Sequence, residues 1–282
     1  MTLLVAVVAG VLIGLSLGAL GGGGSVLAVP VLVYGLGQSG GQATTGSLVV
    51  VAVTSLVGAA TAWRAGNVLL GRGVAFGAVA IGGAAVGARL SGVVPGPVLL
   101  AAFAALLVVV AGLMAVRQVR AYRAARTDAV SGRPRTGPGR PRLDDPIVSF
   151  SPTFACQCPR ALKVLVTATV VGLLTGFLGV GGGFLVVPAL VLALALPMDY
   201  AAGTSLVVIT ITSTAALAVR AGTGTHPSWG LVALLTGAAV IGGYVGARAA
   251  ARVDTSRLQS AFTVLLLLVA GYTAWQAVPA LT

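Results

Sequence analysis

The stretch GALGGGGSVLAVP, from Gly18 to Pro30, places four consecutive glycines inside sequence that is otherwise almost wholly apolar. A glycine in a helix interior is less favourable than alanine by up to about 1 kcal/mol. A chain that crosses lipid must also satisfy every backbone polar group internally. A second copy, GFLGVGGGFLVVP from Gly176 to Pro188, argues against accident. We therefore expect both runs to interrupt a membrane helix.

Composition defines the class of protein that contains these runs. The chain has 282 residues, of which 57% are hydrophobic and 8% charged, and its mean hydropathy is +1.06. Soluble domains carry roughly a quarter charged residues, so this chain cannot cover a water-facing surface. We expect an all-α integral membrane protein in contact with the lipid bilayer, with an N-terminal apolar segment that is a retained helix rather than a signal peptide.

The net charge of +12 is concentrated in one segment, because many of the 17 Lys and Arg residues lie between Arg117 and Arg142. Short loops rich in Lys and Arg stay cytoplasmic. Aromatic residues are not interleaved with these charges, so we expect no nucleic-acid binding. The sequence predicts a basic cytoplasmic linker over 118–160 between transmembrane repeats at 1–117 and 161–282. Cys156 and Cys158 in this linker form a single CxC pair, which without further ligands does not predict a metal site.

Internal similarity covers nearly the whole chain. At an offset of 158, Gly14, Gly18 and Gly21 align with Gly172, Gly176 and Gly179, and Pro30 aligns with Pro188. Later segments match at slightly different offsets, so that Arg64 pairs with Arg220 and Arg89 with Arg248. The apolar blocks recur in the same order, as expected of an internal duplication. They are 2–20, 24–36, 43–63, 70–90 and 97–117, then 162–178, 183–196, 201–220, 228–250 and 257–276.

The blocks at 24–36 and 183–196 are too short to cross the roughly 30 Å hydrocarbon core as helices. We expect each to enter the bilayer and turn back, which gives about eight full spans in two four-helix repeats, each repeat with a Gly-rich broken or re-entrant helix. If the short blocks turn back, the repeats are parallel; if they cross, the repeats are inverted. The sequence leaves both open.

Glycine has two roles in these runs. Pairs spaced four apart, such as Gly83 with Gly87 and Gly242 with Gly246, allow helices to approach closely. Consecutive glycines cover all sides of a helix, so Gly21–Gly24 instead predicts a break. A new helix then presents unpaired N–H groups and a positive dipole end, which suits an anion. Paired broken helices in two repeats are the best sequence-level indication of a transporter's central site.

Hydroxyl residues beside a glycine follow each break, in QATTGSLV (Gln42 to Val49) and YAAGTSLV (Tyr200 to Val207). They are suitable as neutral donors to a bound oxyanion, or as ordinary caps and backbone-bonded hydroxyls. The predicted substrate-binding residues are Gly21, Gly22, Gly23, Gly24, Ser25, Thr44, Thr45, Ser47, Gly179, Gly181, Gly182, Gly183, Thr204 and Ser205.

Charged residues are scarce near these blocks. Arg64, Arg89, Arg220 and Arg248 fall near predicted span ends, where long side chains extend to the interface; an anion gate is the alternative. Asp199 and His226 are the nearest titratable candidates, and neither lies inside a predicted span. The glycine runs do not fit a dinucleotide-binding turn either, since no ribose-binding acid follows them. We expect no cofactor, no metal site and no catalytic residues.

The duplicated GxxxGxxGxGGGxxxxPxL-like block, with the following TGS and GTS stretches and the GAR ends of later spans, resembles the TauE/SafE family of sulfite-exporter-like anion permeases. Gly172 to Leu190 fits the block fully, and Gly14 to Leu32 fits with Ser25 in place of the last glycine. The resemblance implies a multi-pass transporter of the bacterial inner membrane. Its substrates would be small sulfur-containing or organic anions such as sulfite, sulfonates or sulfoacetate.

The sequence thus favours a secondary transporter with an anion site between the two breaks. A passive anion channel is the main alternative, since it could use the same helix ends. A membrane-embedded enzyme is a weaker one, because the Ser47 segment has no partner histidine in a span. The transported anion, the direction, the coupling ion and any homo-oligomer are left open.

Overall fold

The computed structural model describes residues 2–130, 158–179, 182–194, 196–220, 227–250, 252–253 and 255–277. These residues form helices and short turns, without a strand among them. The helices of the first half are α1 (Thr2–Leu20), α2 (Ser25–Pro30) continued by a π-helical turn (Val31–Gly35), α3 (Gly40–Arg64), α4 (Leu70–Ser91) and α5 (Gly96–Val130). Those of the second half are α6 (Cys158–Leu178), α7 (Gly183–Ala193), α8 (Met198–Arg220), α9 (Trp229–Ala250) and α10 (Thr255–Ala277).

Five of the described helices are long and apolar enough to cross a membrane: Leu3–Leu20, Gly40–Arg64, Leu70–Ser91, Tyr200–Arg220 and Trp229–Ala250. Shorter apolar segments are Ser25–Gly35, Ala101–Val116, Leu162–Leu178 and Ser260–Tyr272. The all-helical membrane class is therefore confirmed, whereas the count of eight spans stays a prediction. Helix α5 continues to Val130 and α6 begins at Cys158, so both helices enter the segment expected to be linker.

Local sequence explains where several helices begin and end. Before α3, the Ser39 N–H donates to Gln42 Oε1 at 3.3 Å, as in a capping box. After α3, Gly66 adopts a φ of +74°, a left-handed conformation that favours glycine and ends the helix. Pro30 lacks an N–H, and the chain changes from α to π geometry directly after it.

The closest helix pairs join the two halves through glycines. Helix α1 packs along α9, and α4 packs along α6. A Cβ on Gly14 would lie 2.7 Å from the Gly243 N atom, and one on Gly83 would lie 2.8 Å from the Leu173 N atom. Gly18, Gly87, Gly242 and Gly246 approach neighbouring backbones in the same way. The packing role predicted for these glycines is therefore confirmed.

Directions follow from the order of these contacts. Gly242 meets Val11 and Gly246 meets Leu15, so α1 and α9 run parallel. Likewise Gly172 meets Ala80 and Gly176 meets Ala84, so α4 and α6 run parallel.

Helix α2 turns back along α1 rather than continuing it. A Cβ on Gly24 would lie 2.6 Å from the Leu17 N atom, and one on Gly35 would lie 3.8 Å from a Val5 methyl. The segment 25–35 therefore returns toward the end at which α1 began, and Tyr34 there packs edge-on against Tyr272, with ring centroids 6.0 Å apart. The sequence analysis expected this segment to enter the bilayer and turn back. Instead, the segment runs in a single direction along α1, from Leu17 to Val5.

Helices α3 and α8 cross antiparallel at the centre of the molecule. Ser55 Oγ lies 3.0 Å from Thr210 Oγ1, and a Cβ on Gly58 would lie 3.1 Å from a Leu206 methyl. The bundle thus has two ends. We call the end where α3 stops at Arg64 and where α4, α6 and α8 start the linker side, since the linker leads into α6. The end where α3 starts at Gly40 and α8 stops at Arg220 is the far side.

Candidate functional site

The first interruption, which we call the first break, is the bend formed by Gly21–Gly24 between α1 and α2. Gly21 has a φ of +70°, a conformation that costs an L-residue with a side chain roughly 1–2 kcal/mol. A Cβ on Gly21 would also lie 2.6 Å from the Ala202 carbonyl carbon at the start of α8. The glycine is therefore required both by the turn and by the close approach of α8. The predicted break is confirmed at this position.

The second interruption, the second break, spans residues 179–182 between α6 and α7. Gly179 has a φ of +65° and Gly182 a φ of +64°; Val180 and Gly181 lie outside the described residues. A Cβ on Gly179 would lie 2.6 Å from Thr44 Cβ at the start of α3. Each break therefore touches the helix that follows the other break.

The two breaks also touch each other. A Cβ on Gly22 would lie 2.5 Å from the Gly183 carbonyl carbon, and one on Gly183 would lie 2.7 Å from the Gly22 carbonyl oxygen. Gly23 faces the side chains of Leu20, Leu265 and Phe262. The backbone contact between Gly22 and Gly183 therefore places the two breaks side by side.

Two serines join each break to the opposite half. Ser47 on α3 donates to the Gly179 carbonyl at 2.5 Å and stands 2.9 Å from the Thr44 carbonyl. Ser205 on α8 donates to the Gly21 carbonyl and stands 2.7 Å from the Ala202 carbonyl. Both side chains are fully buried. These bonds satisfy carbonyls that the breaks leave without a helical partner.

The other predicted hydroxyls also have protein partners. Ser25 donates to the Gly22 carbonyl at 2.8 Å. Thr44 and Thr45 donate to the Gly41 carbonyl at 2.9 and 3.0 Å. Thr204 accepts from the Leu69 N–H at 3.1 Å. The described members of the predicted site are thus buried around the breaks, and their hydroxyls form hydrogen bonds with backbone groups. Contact between these residues and an anion stays a prediction.

A cavity of about 830 Å³ opens beside the first break. Gly18, Ala19 and Ala202 line it at the break, and Arg64, Arg248 and Asn67 line it elsewhere. Tyr200 and Tyr244 also line it, and the Arg248 guanidinium carbon lies 4.5 Å from the centroid of the Tyr244 ring. The lining comes from the end of α1, the end of α3, the start of α8 and the end of α9, so the cavity faces the linker side.

A row of hydroxyls lies between the breaks on α3 and α8. Beside the Ser55–Thr210 pair, the buried hydroxyls of Thr54 and Ser213 have no hydrogen-bond partner among the described residues. Polar groups are costly inside a membrane, and there they commonly mark a substrate or ion pathway. These four hydroxyls on α3 and α8 therefore place polar groups in the interior of the bundle.

The arginines near span ends do not all behave as expected. Arg64, Arg89 and Arg248 are exposed at helix ends, as predicted for side chains that extend to the interface. Arg220 is only 7% exposed, which corrects that prediction for this residue. Its guanidinium turns inward because hydroxyls are within reach: it donates to Thr44 Oγ1 at 2.9 Å and to Ser91 Oγ.

The remaining chemistry candidates lie largely outside the described part of the chain. His226 and Cys156 are not described, and neither are the side chains of Asp199 and Cys158. Among the residues that are described, no group of three or more His, Cys, Asp or Glu could hold a metal ion.

Sequence reasoning missed three features of this site. It predicted an anion site between the two breaks, but not the position of the cavity on the linker side, the direct contact between the breaks or the inward Arg220. Nothing within α8 itself distinguishes Arg220 from its counterpart Arg64, because the hydroxyls that hold Arg220 are contributed by α3 and α4, far away in sequence.

The fold and the site together define a multi-pass helical membrane protein with paired interrupted helices. The model of the family described as "Sulfite exporter TauE/SafE" matches residues 6–273. The chain belongs to this family, which places it among membrane transporters and confirms the family resemblance found in the sequence.

Curated relatives agree with this assignment. Two proteins of Xylella fastidiosa, one from strain Temecula1 and one from a second strain, are each named "Probable membrane transporter protein". Each is 30% identical to this chain, over 98% of this chain and 96% of the relative. No solved structure matches the chain.

Proposed function

We propose that this protein is a secondary transporter that moves small anions across the bacterial inner membrane. The observation that carries the proposal is the linker-side cavity, in which Arg64 and Arg248 line the space that reaches the first break. Two guanidinium groups in a cavity with low-dielectric walls attract and concentrate anions. The break at its inner end offers glycine backbone, which a ligand can approach closely.

The two halves are inferred to be inverted repeats. Corresponding helices α3 and α8 cross antiparallel, as the pairs Ser55–Thr210 and Gly58–Leu206 indicate. In addition, α1 runs parallel to α9, which is the counterpart of α4, and α4 runs parallel to α6, the counterpart of α1. Inverted repeats with interrupted helices at their interface support alternating access around a shared site.

The distribution of charge supports an orientation in the membrane. Among the described residues that are Lys or Arg, only Arg89 and Arg220 belong to helix ends on the far side. The basic linker joins the helices at the other end. Since cytoplasmic segments carry the excess of Lys and Arg, the linker side is assigned to the cytoplasm. The cavity then opens to the cytoplasm.

The charge of the cavity and the name of the family support the proposed substrate class. Sulfite, sulfonates and sulfoacetate are small oxyanions that suit guanidinium donors. Backbone around Gly21–Ser25 and Gly179–Gly183 is proposed to bind the anion, with hydroxyl donors from the following helices. The contact between Gly22 and Gly183 favours a transporter over a passive channel, because it places backbone across the route between the two sides.

Binding measurements on paired variants test the proposal. Arg64→Gln and Arg248→Gln each remove one cavity charge, whereas Lys163→Gln removes an exposed charge from α6 on the same side and serves as the control. We expect sulfite or sulfoacetate to raise the melting temperature of the parent and the control protein, and to bind at least about tenfold more weakly to each arginine variant. Equal stabilisation of all four proteins, or stabilisation only by neutral or cationic solutes, would rule out the cavity as an anion site.

A further inference from the structure

We infer that Arg220, Thr44 and Ser91 form a gate that closes the anion path on the far side, and that this gate exists on one side of the molecule only. We call these three residues the far-side gate. The inference rests on the proposed transport function, and it adds a residue-level role that neither the family nor the relatives' names assign.

The first step is the contrast between repeat counterparts. Arg64 is exposed and lines the linker-side cavity. Its counterpart Arg220 is 7% exposed and donates to Thr44 Oγ1 at 2.9 Å and to Ser91 Oγ. The arginines at matching positions of the two halves are therefore exposed on the linker side and buried on the far side. This difference is expected of a transporter held in one of its two states.

The second step is what lies next to the gate. Leu48, Ala88 and Ala216 form a buried apolar cluster at this end of the bundle, with Leu217 and Val219 packed against it. Ala216 is one helical turn before Arg220. The guanidinium therefore bridges α8, α3 and α4 next to a packed apolar cluster, whereas the counterpart region on the linker side contains the cavity.

The third step connects the gate to the second break. Thr44 accepts from Arg220 and also lies against Gly179, where an added Cβ would be 2.6 Å from Thr44 Cβ. Ser47, one turn further along α3, holds the Gly179 carbonyl. A movement of α3 that releases Arg220 must therefore displace the second break as well. This couples closure of the far side to the geometry of the proposed site.

The sequence makes the gate one-sided. At the offsets that align the repeats, Thr44 corresponds to Ala202 and Ser91 corresponds to Ala250. Neither alanine has a side-chain acceptor, so Arg64 cannot form the same two bonds on the linker side. The state closed to the far side is therefore stabilised by bonds that its mirror state lacks, which biases the resting transporter toward the cytoplasm-open form.

Thiol labelling measures the gate without any substrate. In a background with Cys156→Ser and Cys158→Ser, Ala216→Cys places a thiol in the buried cluster next to Arg220. A membrane-impermeant thiol reagent is applied from the far side to membrane vesicles. The variants are Ser91→Ala, the pair Thr44→Val with Ser91→Ala, and Arg220→Ala. Arg64→Ala is the matched control at the counterpart position.

We expect slow labelling in the parent and the control. Each lost bond to the guanidinium should speed labelling about tenfold, because a hydrogen bond to a charged group changes an equilibrium by roughly that factor. Ser91→Ala removes the fewest atoms of these substitutions, so it tests the gate even if the other variants fold poorly. Fast labelling in the parent, or no acceleration in Ser91→Ala and the double variant, would overturn the gate. Because no anion is present, that result is independent of whether the protein carries anions.

Discussion

At the scale of single residues, the fold depends on glycines at the two breaks, where a side chain would be costly. Gly21 and Gly179 combine a left-handed φ with the close approach of a helix from the opposite half. Gly37 has a φ of +64° but nothing within 4 Å of its added Cβ. The comparison separates backbone strain from steric overlap.

We predict that Gly21→Ala lowers the stability of the protein more than Gly37→Ala does. Both changes impose about 1–2 kcal/mol of left-handed strain, and Gly21→Ala adds overlap with the backbone of Ala202, which cannot shift easily. Melting temperatures of the purified proteins in detergent measure the difference. Equal losses in the two variants would show that α8 does not press on the first break.

A second residue-level prediction concerns the serines that hold the breaks. Ser47→Ala and Ser205→Ala each leave a buried carbonyl with one partner fewer, so each should destabilise the protein by about 1–3 kcal/mol. Thr214→Ala is the control, since the exposed Thr214 hydroxyl bonds only within its own helix, to the Thr210 carbonyl at 2.6 Å. The prediction fails if thermal unfolding of either serine variant matches that of the Thr214 variant.

At the scale of helices, most boundaries could be predicted from the sequence and the directions could not. The apolar block 70–90 became α4 (Leu70–Ser91) and the block 228–250 became α9 (Trp229–Ala250), because hydropathy and glycine or proline punctuation act locally. The break at Gly21–Gly24 was visible for the same reason. The course of 25–35 back along α1 was not, since it depends on contacts such as Gly35 with Val5 that periodicity does not contain.

The same distinction applies to the candidate site. Matching hydroxyls after each break identified Ser47 and Ser205, but only the three-dimensional contacts reveal that each serves the break of the other half. The linker was expected to begin after residue 117, yet α5 continues to Val130. The segment RAYRAAR contains strong helix formers. Its high charge led to the prediction of a linker there instead of a helix.

The antiparallel crossing of α3 and α8 gives an element-level prediction. In a background without Cys156 and Cys158, cysteines at Ser55 and Thr210 should form a disulfide on mild oxidation, since the side-chain oxygens of these residues lie 3.0 Å apart. Ser55→Cys with Thr214→Cys, one turn away on α8, should not. The readout is the mobility of the protein after a cleavage introduced in the linker. Efficient pairing at 214 and none at 210 would contradict the register.

At the scale of the whole molecule, the charge asymmetry predicts which parts face the cytoplasm. Val93 lies 84% exposed in the turn after α4 on the far side, whereas Ala65 lies exposed in the turn after α3 on the linker side. In intact cells, an impermeant thiol reagent should label Val93→Cys and leave Ala65→Cys unlabelled, both in the background without native cysteines. Labelling of Ala65→Cys alone would show that the protein has the opposite orientation in the membrane.

The most direct measurement of transport is counterflow in proteoliposomes. With unlabelled sulfite or sulfoacetate trapped inside, labelled anion outside should accumulate transiently above equilibrium, and its entry should saturate with concentration. This result follows if the site between the breaks is open to one side at a time. Flux that rises linearly without counterflow would indicate a channel, and no flux of any anion in protein that binds none would contradict anion transport itself.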